Sequence, residues 1–328
     1  ALEKPGQKWH VHSYFAIAGN YLLMMFYTTV TGWMLHYFYL MLTGQFAGKA
    51  VNEVSAIFSG MLSQPLVMGG WMIFVVLAGF GICSMGLQRG VEKVTKVMMV
   101  SLMAIMIILA INSIITPGSA EGLKFYLLPD FNRMVEVGVW STIVAAMNQS
   151  FFTLSLGIGA MAIFGSYIGR EHALLGESLR IGVLDTCVAI VAGLIIFPAC
   201  FAFGIEPDSG PNLIFITLPN MFNNMPAGRM WGALFFIFMA FAAFSTVLAV
   251  FENIISSSMD MFNCSRKKAC AVNIVLIIIL SLPCVLGFNV LSSIQPLGEG
   301  STIMDFEDFL VSNLLLPLGS LVYLVFCV

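Results

Sequence analysis

The chain has 328 residues, 59% of them hydrophobic and only 9% charged, with a formal net charge of −3. Water-soluble domains carry about 25% charged residues, so a fold surrounded by water is excluded. No basic face runs along the chain, which excludes nucleic acid as a partner.

Eight apolar runs follow in order, at residues 13–43, 66–88, 97–115, 138–167, 181–205, 229–260, 269–290 and 309–328. Each is long enough to cross the hydrocarbon as a helix, which takes about 20 residues. Strands of a membrane barrel would alternate apolar and polar over about 10 residues, and a stretch such as Val272 to Pro283 does not alternate. Lipid leaves helices as the remaining way to satisfy every backbone N–H and C=O. The fold class is all-α integral membrane with eight spanning helices.

The loops between these runs differ in charge. Residues 1–12, 88–96, 168–180 and 261–268 hold ten of the 14 Lys and Arg: Lys4, Lys8, Arg89, Lys93, Lys96, Arg170, Arg180, Arg266, Lys267 and Lys268. The other set holds Lys49, Lys124, Arg133 and Arg229. Cytoplasmic loops are the basic ones, so the amino terminus is expected in the cytoplasm and the protein in the cytoplasmic (inner) membrane. The outer loops (44–65, 116–137, 206–228 and 291–308) are long and carry turn formers such as Thr116-Pro117-Gly118 and Glu206-Pro207-Asp208. Within the third of them, residues 212–223 (NLIFITLPNMFN) are apolar but too short to span. They predict an outer hairpin at 206–228 that covers the outer face.

The chain opens with Ala1-Leu2-Glu3-Lys4-Pro5-Gly6, with no signal peptide, and stops inside an apolar run at Val328, which predicts a piece of a longer protein. Cysteines number seven and mostly sit within apolar runs (Cys83, Cys187, Cys200, Cys284, Cys327). There they act as small hydrophobes, and their spacing suggests neither a disulfide framework nor a metal site.

The most informative stretch is Gln149 to Ala160 (QSFFTLSLGIGA), in the middle of the fourth run. Its glycines and hydroxyls weaken a helix at a depth where loose backbone survives only if it is buried in protein or lines a cavity. Two readings stand at this point: a broken helix whose freed ends bind an ion or a carboxylate, or close helix packing through small residues.

SFFTLSLGIG at 150–159 closely resembles the unwound sixth helix of the neurotransmitter:sodium symporter family, which includes the bacterial leucine transporter. Further ordered motifs resemble the same family. Tyr27 and Trp33 look like its third helix, Arg89-Gly90-Val91-Glu92-Lys93 like the loop before the fifth, and Thr116-Pro117 through Pro129-Asp130-Phe131 like the third outer loop. Phe215-Ile216-Thr217-Leu218-Pro219 resembles the fourth outer loop, and Ser265-Arg266-Lys267 follows what looks like the eighth helix. The broken-helix scheme comes with this resemblance, the bacterial leucine transporter being its type example. The resemblance implies an inverted-repeat fold in which the eight runs are the third to tenth helices, with the first two and the last absent. Residues 13–115 are then the remainder of the first repeat and 138–328 the second. It implies sodium-coupled symport of an amino acid, neutral or hydrophobic, across the membrane, with chloride dependence undetermined. Because the family's first helix supplies part of both sodium sites, it also implies that residues 1–328 alone hold an incomplete site.

Several residues carry readings of their own beside that resemblance. Asp185 lies within the fifth run next to Thr186; a carboxylate in hydrocarbon costs about 2.5 kcal/mol or more and needs an ion or a polar partner. By resemblance it joins Thr153 at the first sodium site. Ala242, Ser245 and Thr246 sit in the sixth run, where hydroxyls commonly bond back to the preceding turn. The resemblance instead places the Ala242 carbonyl, Ser245 and Thr246 on the second sodium site, and hard oxygen ligands suit a hard cation. Tyr27 lies mid-run with Leu23 one turn before it; the family's tyrosine bonds the substrate carboxylate. Phe152 would form a lid above the amino acid, with Ser155, Ile158 and Val250 lining its side-chain pocket. Glu252 reads as a structural polar contact. Asp308, with Asp305 and Glu307, is favoured at a helix start by the macrodipole; by resemblance it is the outer-gate aspartate.

Two other classes of membrane protein compete with transport. The four histidines (His10, His12, His36, His172) form no H-E-x-x-H motif and no aspartate pair lies mid-membrane, so an enzyme lacks a catalytic set. A channel shares the Thr, Ser and Gly lining. A lone deep carboxylate beside one broken helix suits an occluding site better than a continuous pore.

Overall fold

The computed structural model describes residues 8–167, 169, 173–204 and 210–328. Lys4, Arg170, His172 and the Glu206-Pro207-Asp208 turn lie outside them. The described residues form helices α1 (His10–Thr43), α2 (Val51–Leu62), α3 (Pro65–Ser84), α4 (Lys93–Ile115), α5 (Ala120–Leu127), α6 (Phe131–Val137), α7 (Val139–Thr153) and α8 (Ala160–Tyr167). There follow α9 (Leu174–Ala202), α10 (Gly210–Asn212), α11 (Leu218–Asn224), α12 (Gly228–Phe262), α13 (Arg266–Leu286), α14 (Ile303–Phe309) and α15 (Leu316–Cys327). Wider π turns at Leu87–Glu92, Leu213–Thr217 and Leu310–Leu315 join α3 to α4, α10 to α11, and α14 to α15.

Among the described residues, six stretches are long and apolar enough to cross a membrane: Pro65–Ser84, Gly90–Ile115, Leu174–Ala202, Gly228–Phe262, Arg266–Leu286 and Ile303–Cys327. The other two expected spans depart from a plain apolar rod for physical reasons. At 34 residues α1 is long enough, about 51 Å at 1.5 Å per residue. Its apolar character is diluted by buried Asn20, Thr28, Thr29 and Thr31. The run at 138–167 is interrupted, with α7 ending at Thr153 and α8 starting at Ala160.

Three boundaries differ from the sequence expectation. Arg180, Arg266, Lys267 and Lys268 belong to helix ends and not to loops, because long basic side chains can reach water from a helix terminus. The outer loops at 44–65 and 116–137 contain helices α2, α5 and α6. Residues 212–223 form no hairpin of their own: Gly210 to Asn224 is one helical stretch, and the chain turns at 225–227 into α12. That stretch buries Phe215, Leu218, Met221 and Phe222. Phe215 stacks on Phe58 at 5.4 Å and packs edge-on against Trp33 at 5.6 Å and Tyr37 at 4.9 Å.

At the centre α1 and α12 form the most extensive helix pair, with α3, α4 and α13 around them and α9 packed on α4. Small residues permit the close approaches: a Cβ on Gly79 of α3 would sit 2.8 Å from the Phe251 ring of α12. At one end of this core the Arg266 guanidinium donates from Nη1 to Glu252 Oε1 at 3.0 Å, from Nη2 to Oε2, and from Nε to the Cys83 carbonyl at 2.7 Å. Glu252 is fully buried, so the structural role read from sequence has a physical form: a two-pronged clamp joining α12, α13 and the end of α3. Stripping one partner from a buried pair costs about 3–5 kcal/mol. Glu252→Ala is therefore expected to lower the thermal unfolding midpoint of the purified protein strongly, whereas Glu177→Ala, whose partner Arg180 is 74% exposed, should leave it almost unchanged.

Candidate ion and substrate site

The break in the fourth span is built by backbone geometry. After α7 the chain leaves the helix at Leu154, and Ser155 takes φ 51°, a left-handed conformation unusual for a residue with a side chain. Gly157 and Gly159 follow with φ 88° and 82°. Glycine is required at 157 for a second reason, since a Cβ there would lie 2.4 Å from the Leu316 carbonyl oxygen of α15. The approach is mutual: a Cβ on Gly319 would lie 2.3 Å from the Gly157 carbonyl oxygen. Backbone strain of this kind gathers at functional sites. Of the two readings open from sequence, the broken helix is the one present, and close packing through glycine helps to hold it open.

At the last turn before the break, the Thr153 hydroxyl donates to Asp185 Oδ1 at 2.8 Å, joining α7 to the middle of α9. A hydroxyl and a carboxylate thus meet where the helix ends, and both are hard oxygen donors suited to sodium. Ala242, Ser245 and Thr246 lie on α12, where Ser245 Oγ donates to the Ala242 carbonyl at 2.7 Å. The Thr246 hydroxyl faces the phenol of Tyr27 across the α1–α12 seam.

Leu23, Ile158 and Val250 are buried in one apolar core cluster, with Phe152 packed against it. Ser155 lines a cleft of about 380 Å³ between the unwound segment and α15, together with Gly157, Gly159, Ser320 and Tyr323. Asp308 lies half-buried on α14, its Oδ1 accepting from the Ser312 hydroxyl at 2.7 Å.

Residues not singled out from sequence hold the break in place. Asn20 of α1 donates to the Ile158 carbonyl at 2.7 Å, and Asn253 of α12 donates to the same carbonyl at 3.2 Å and to Asn20 Oδ1 at 2.9 Å. On the other side Asn148 of α7 donates to Asn313, on the π turn before α15, at 2.9 Å. A buried amide in an apolar run must find a partner, so Asn20 and Asn253 could have been flagged as polar residues in hydrocarbon. Their shared acceptor, a backbone carbonyl 138 positions from Asn20 and 95 from Asn253, leaves no trace in sequence.

Residues 52–294 match the family described as the sodium:neurotransmitter symporter family. The chain belongs to that family. It is 31% identical over 325 residues to an uncharacterised sodium-dependent transporter, YhdH, of Bacillus subtilis, covering 99% of this chain and 70% of the relative. A similar relative from Haemophilus influenzae is 29% identical over 318 residues, covering 95% of this chain and 68% of its own length. The crystal structure of MhsT in complex with L-phenylalanine superposes with a TM-score of 0.87 at 35% identity, covering 98% of this chain and 72% of that one. The symporter therefore has the all-α, leucine-transporter-type fold, and family and fold are those of sodium-coupled membrane transporters and not of enzymes.

Proposed function

We propose that this symporter carries an amino acid, neutral or hydrophobic, with sodium through the cytoplasmic membrane, its amino terminus on the cytoplasmic side. The substrate class rests on the likeness to MhsT, whose structure holds L-phenylalanine. The observation that carries the site is the Thr153–Asp185 contact at the broken end of α7. Sodium would be held there, and at the Ala242 carbonyl with Ser245 and Thr246. The amino acid would have its carboxylate at Tyr27 and its side chain among Leu23, Phe152, Ser155, Ile158 and Val250.

Chemically, a zwitterion is costly to hold at membrane depth, and a bound cation beside its carboxylate offsets part of that cost. The Tyr27 phenol is the polar group that α1 offers to such a carboxylate. Closing of Phe152 above the site, with Asp308 at the outer gate, would alternate with opening on the inner side, the first repeat (13–115) moving against the second (138–328).

Uptake of labelled amino acids into proteoliposomes under an inward sodium gradient tests the reading. Saturable uptake that needs sodium is expected of the full-length protein, and unsaturable flux would favour a channel. Accessibility of single cysteines tests the orientation: positions 89 and 267 are expected to label from the cytoplasmic side, and labelling from outside at either would reverse the assignment.

A further inference from the structure

Two carboxylates are fully buried among the described residues. Glu252 is clamped by Arg266. Glu307 is not: it is 3% exposed, and neither carboxylate oxygen has a hydrogen-bond partner. It sits on α14, which packs against α1 and α13. From α13 the Cys284 thiol faces it, and from α1 the Thr29 hydroxyl faces that thiol. Neither reaches it in hydrogen-bonding geometry, so the Thr29 hydroxyl is also left without a partner.

We propose that Glu307 is a proton-binding site, whose carboxyl group holds one H⁺ while α14 is packed against α1 and α13 and releases it to water when that helix moves away. The step balances as one proton bound at one carboxylate oxygen and returned to solvent, with no other bond changed. The inference goes beyond sodium-coupled transport, though its effect on uptake rests on that reading.

The charges around Glu307 support a proton as its ligand. A buried carboxylate is tolerated in the ionised form only when paired, and no Lys, Arg or His among the described residues forms an ion pair with it. The titratable group facing it from α13 is Cys284, and α1 offers the uncharged Thr29. On its own helix, Asp305 is engaged by the backbone N–H and hydroxyl of Thr302, and Asp308 by Ser312. A hard metal cation would need several oxygens around it, whereas the side chain that faces Glu307 from α13 is the Cys284 thiol, a poor ligand for such an ion. A single proton satisfies the carboxylate without further ligands.

The helix that carries Glu307 is also placed to move. It runs directly into the π turn at Leu310–Leu315, and such turns gather at functional sites. Asn313 on that turn accepts from Asn148 of α7, the helix that ends at the break. Protonation at Glu307 is thereby linked through one turn of chain to the segment that holds the candidate site.

Infrared spectroscopy of the purified protein over a pH titration provides the test, with Glu307→Gln as the comparison. The expected result is a protonated-carboxyl band in the wild-type protein at neutral pH that is missing from E307Q. Sodium-driven uptake in proteoliposomes, with pH varied on each side in turn, should depend on pH in the wild type and be flattened in E307Q. Absence of the band, or a wild-type pH profile in E307Q, overturns the proposal. If the wild type shows no uptake at all, the transport reading fails while the infrared band still decides the site. Should E307Q fail to accumulate in membranes, Cys284→Ala is expected to shift the band, and an unmoved band would place the acid elsewhere and overturn the assignment.

Discussion

Replacing Asp185 by Ala is expected to reduce sodium-dependent uptake to background while leaving membrane insertion unchanged. The carboxylate stands in the middle of α9 and accepts from Thr153 at the break. A carboxylate in hydrocarbon costs about 2.5 kcal/mol or more unless an ion or partner offsets it. Its removal should therefore make insertion no harder. What is lost is the only charged ligand of the proposed first sodium site. A fall of more than about tenfold in apparent sodium affinity, about 1.4 kcal/mol, is the expected minimum. Asp185→Asn keeps a carbonyl oxygen within reach of Thr153 and should recover part of the uptake at high sodium. Wild-type sodium affinity in Asp185→Ala, measured by initial uptake rate against sodium concentration, would remove this residue from the site.

Much of this arrangement could be read from the chain itself, and the reasons are specific. Apolar runs are a one-dimensional property, so the spans through α3, α4, α9, α12 and α13 were visible as composition. The break was visible because Gly157 and Gly159 sit where a continuous helix would use better helix formers. Asp185 stood out because charge in an apolar run is costly. Less of the rest was legible, for equally physical reasons. The helices α2, α5 and α6 are short and flanked by turn residues, so they read as loops. The pairing of Asn20 with Asn253 over the Ile158 carbonyl depends on how three helices pack, and hydropathy carries no record of it. Glu307 looked like an ordinary acid in a first helical turn, where the macrodipole accounts for it. Asp305 fills that capping role instead, accepting from Thr302, and Glu307 points inward. Two positions along one helix separate a residue explained by local structure from one that only tertiary packing can expose.

Gly157→Ala is expected to be among the most damaging single substitutions in the chain, although it adds one methyl group. Two costs fall on the same atom. At φ 88° an L-residue is strained by about 1–2 kcal/mol. The added Cβ would also stand 2.4 Å from the Leu316 carbonyl oxygen and 2.9 Å from the Ser320 nitrogen. Both of those are backbone atoms of α15, which cannot rotate away as a side chain can, so α15 and the unwound segment must separate. Together the costs should exceed about 3 kcal/mol, the range reached by few point substitutions. Gly319→Ala, which presses the same contact from the other side at 2.3 Å, is expected to behave alike. Gly70→Ala is the control: it lies within α3 with nothing within 4 Å of the new methyl, and alanine in a helix interior is favoured over glycine by about 0.5–1 kcal/mol. Thermal unfolding of the three variants in detergent should give a marked drop for Gly157→Ala and Gly319→Ala and no drop for Gly70→Ala. Because the strained segment carries Ser155 and the Ile158 carbonyl, sodium-driven uptake should fall with the first two even below their melting temperatures. Equal melting of all three would mean that the break is not held by the approach of α15, and that Asn20 and Asn253 hold it unaided.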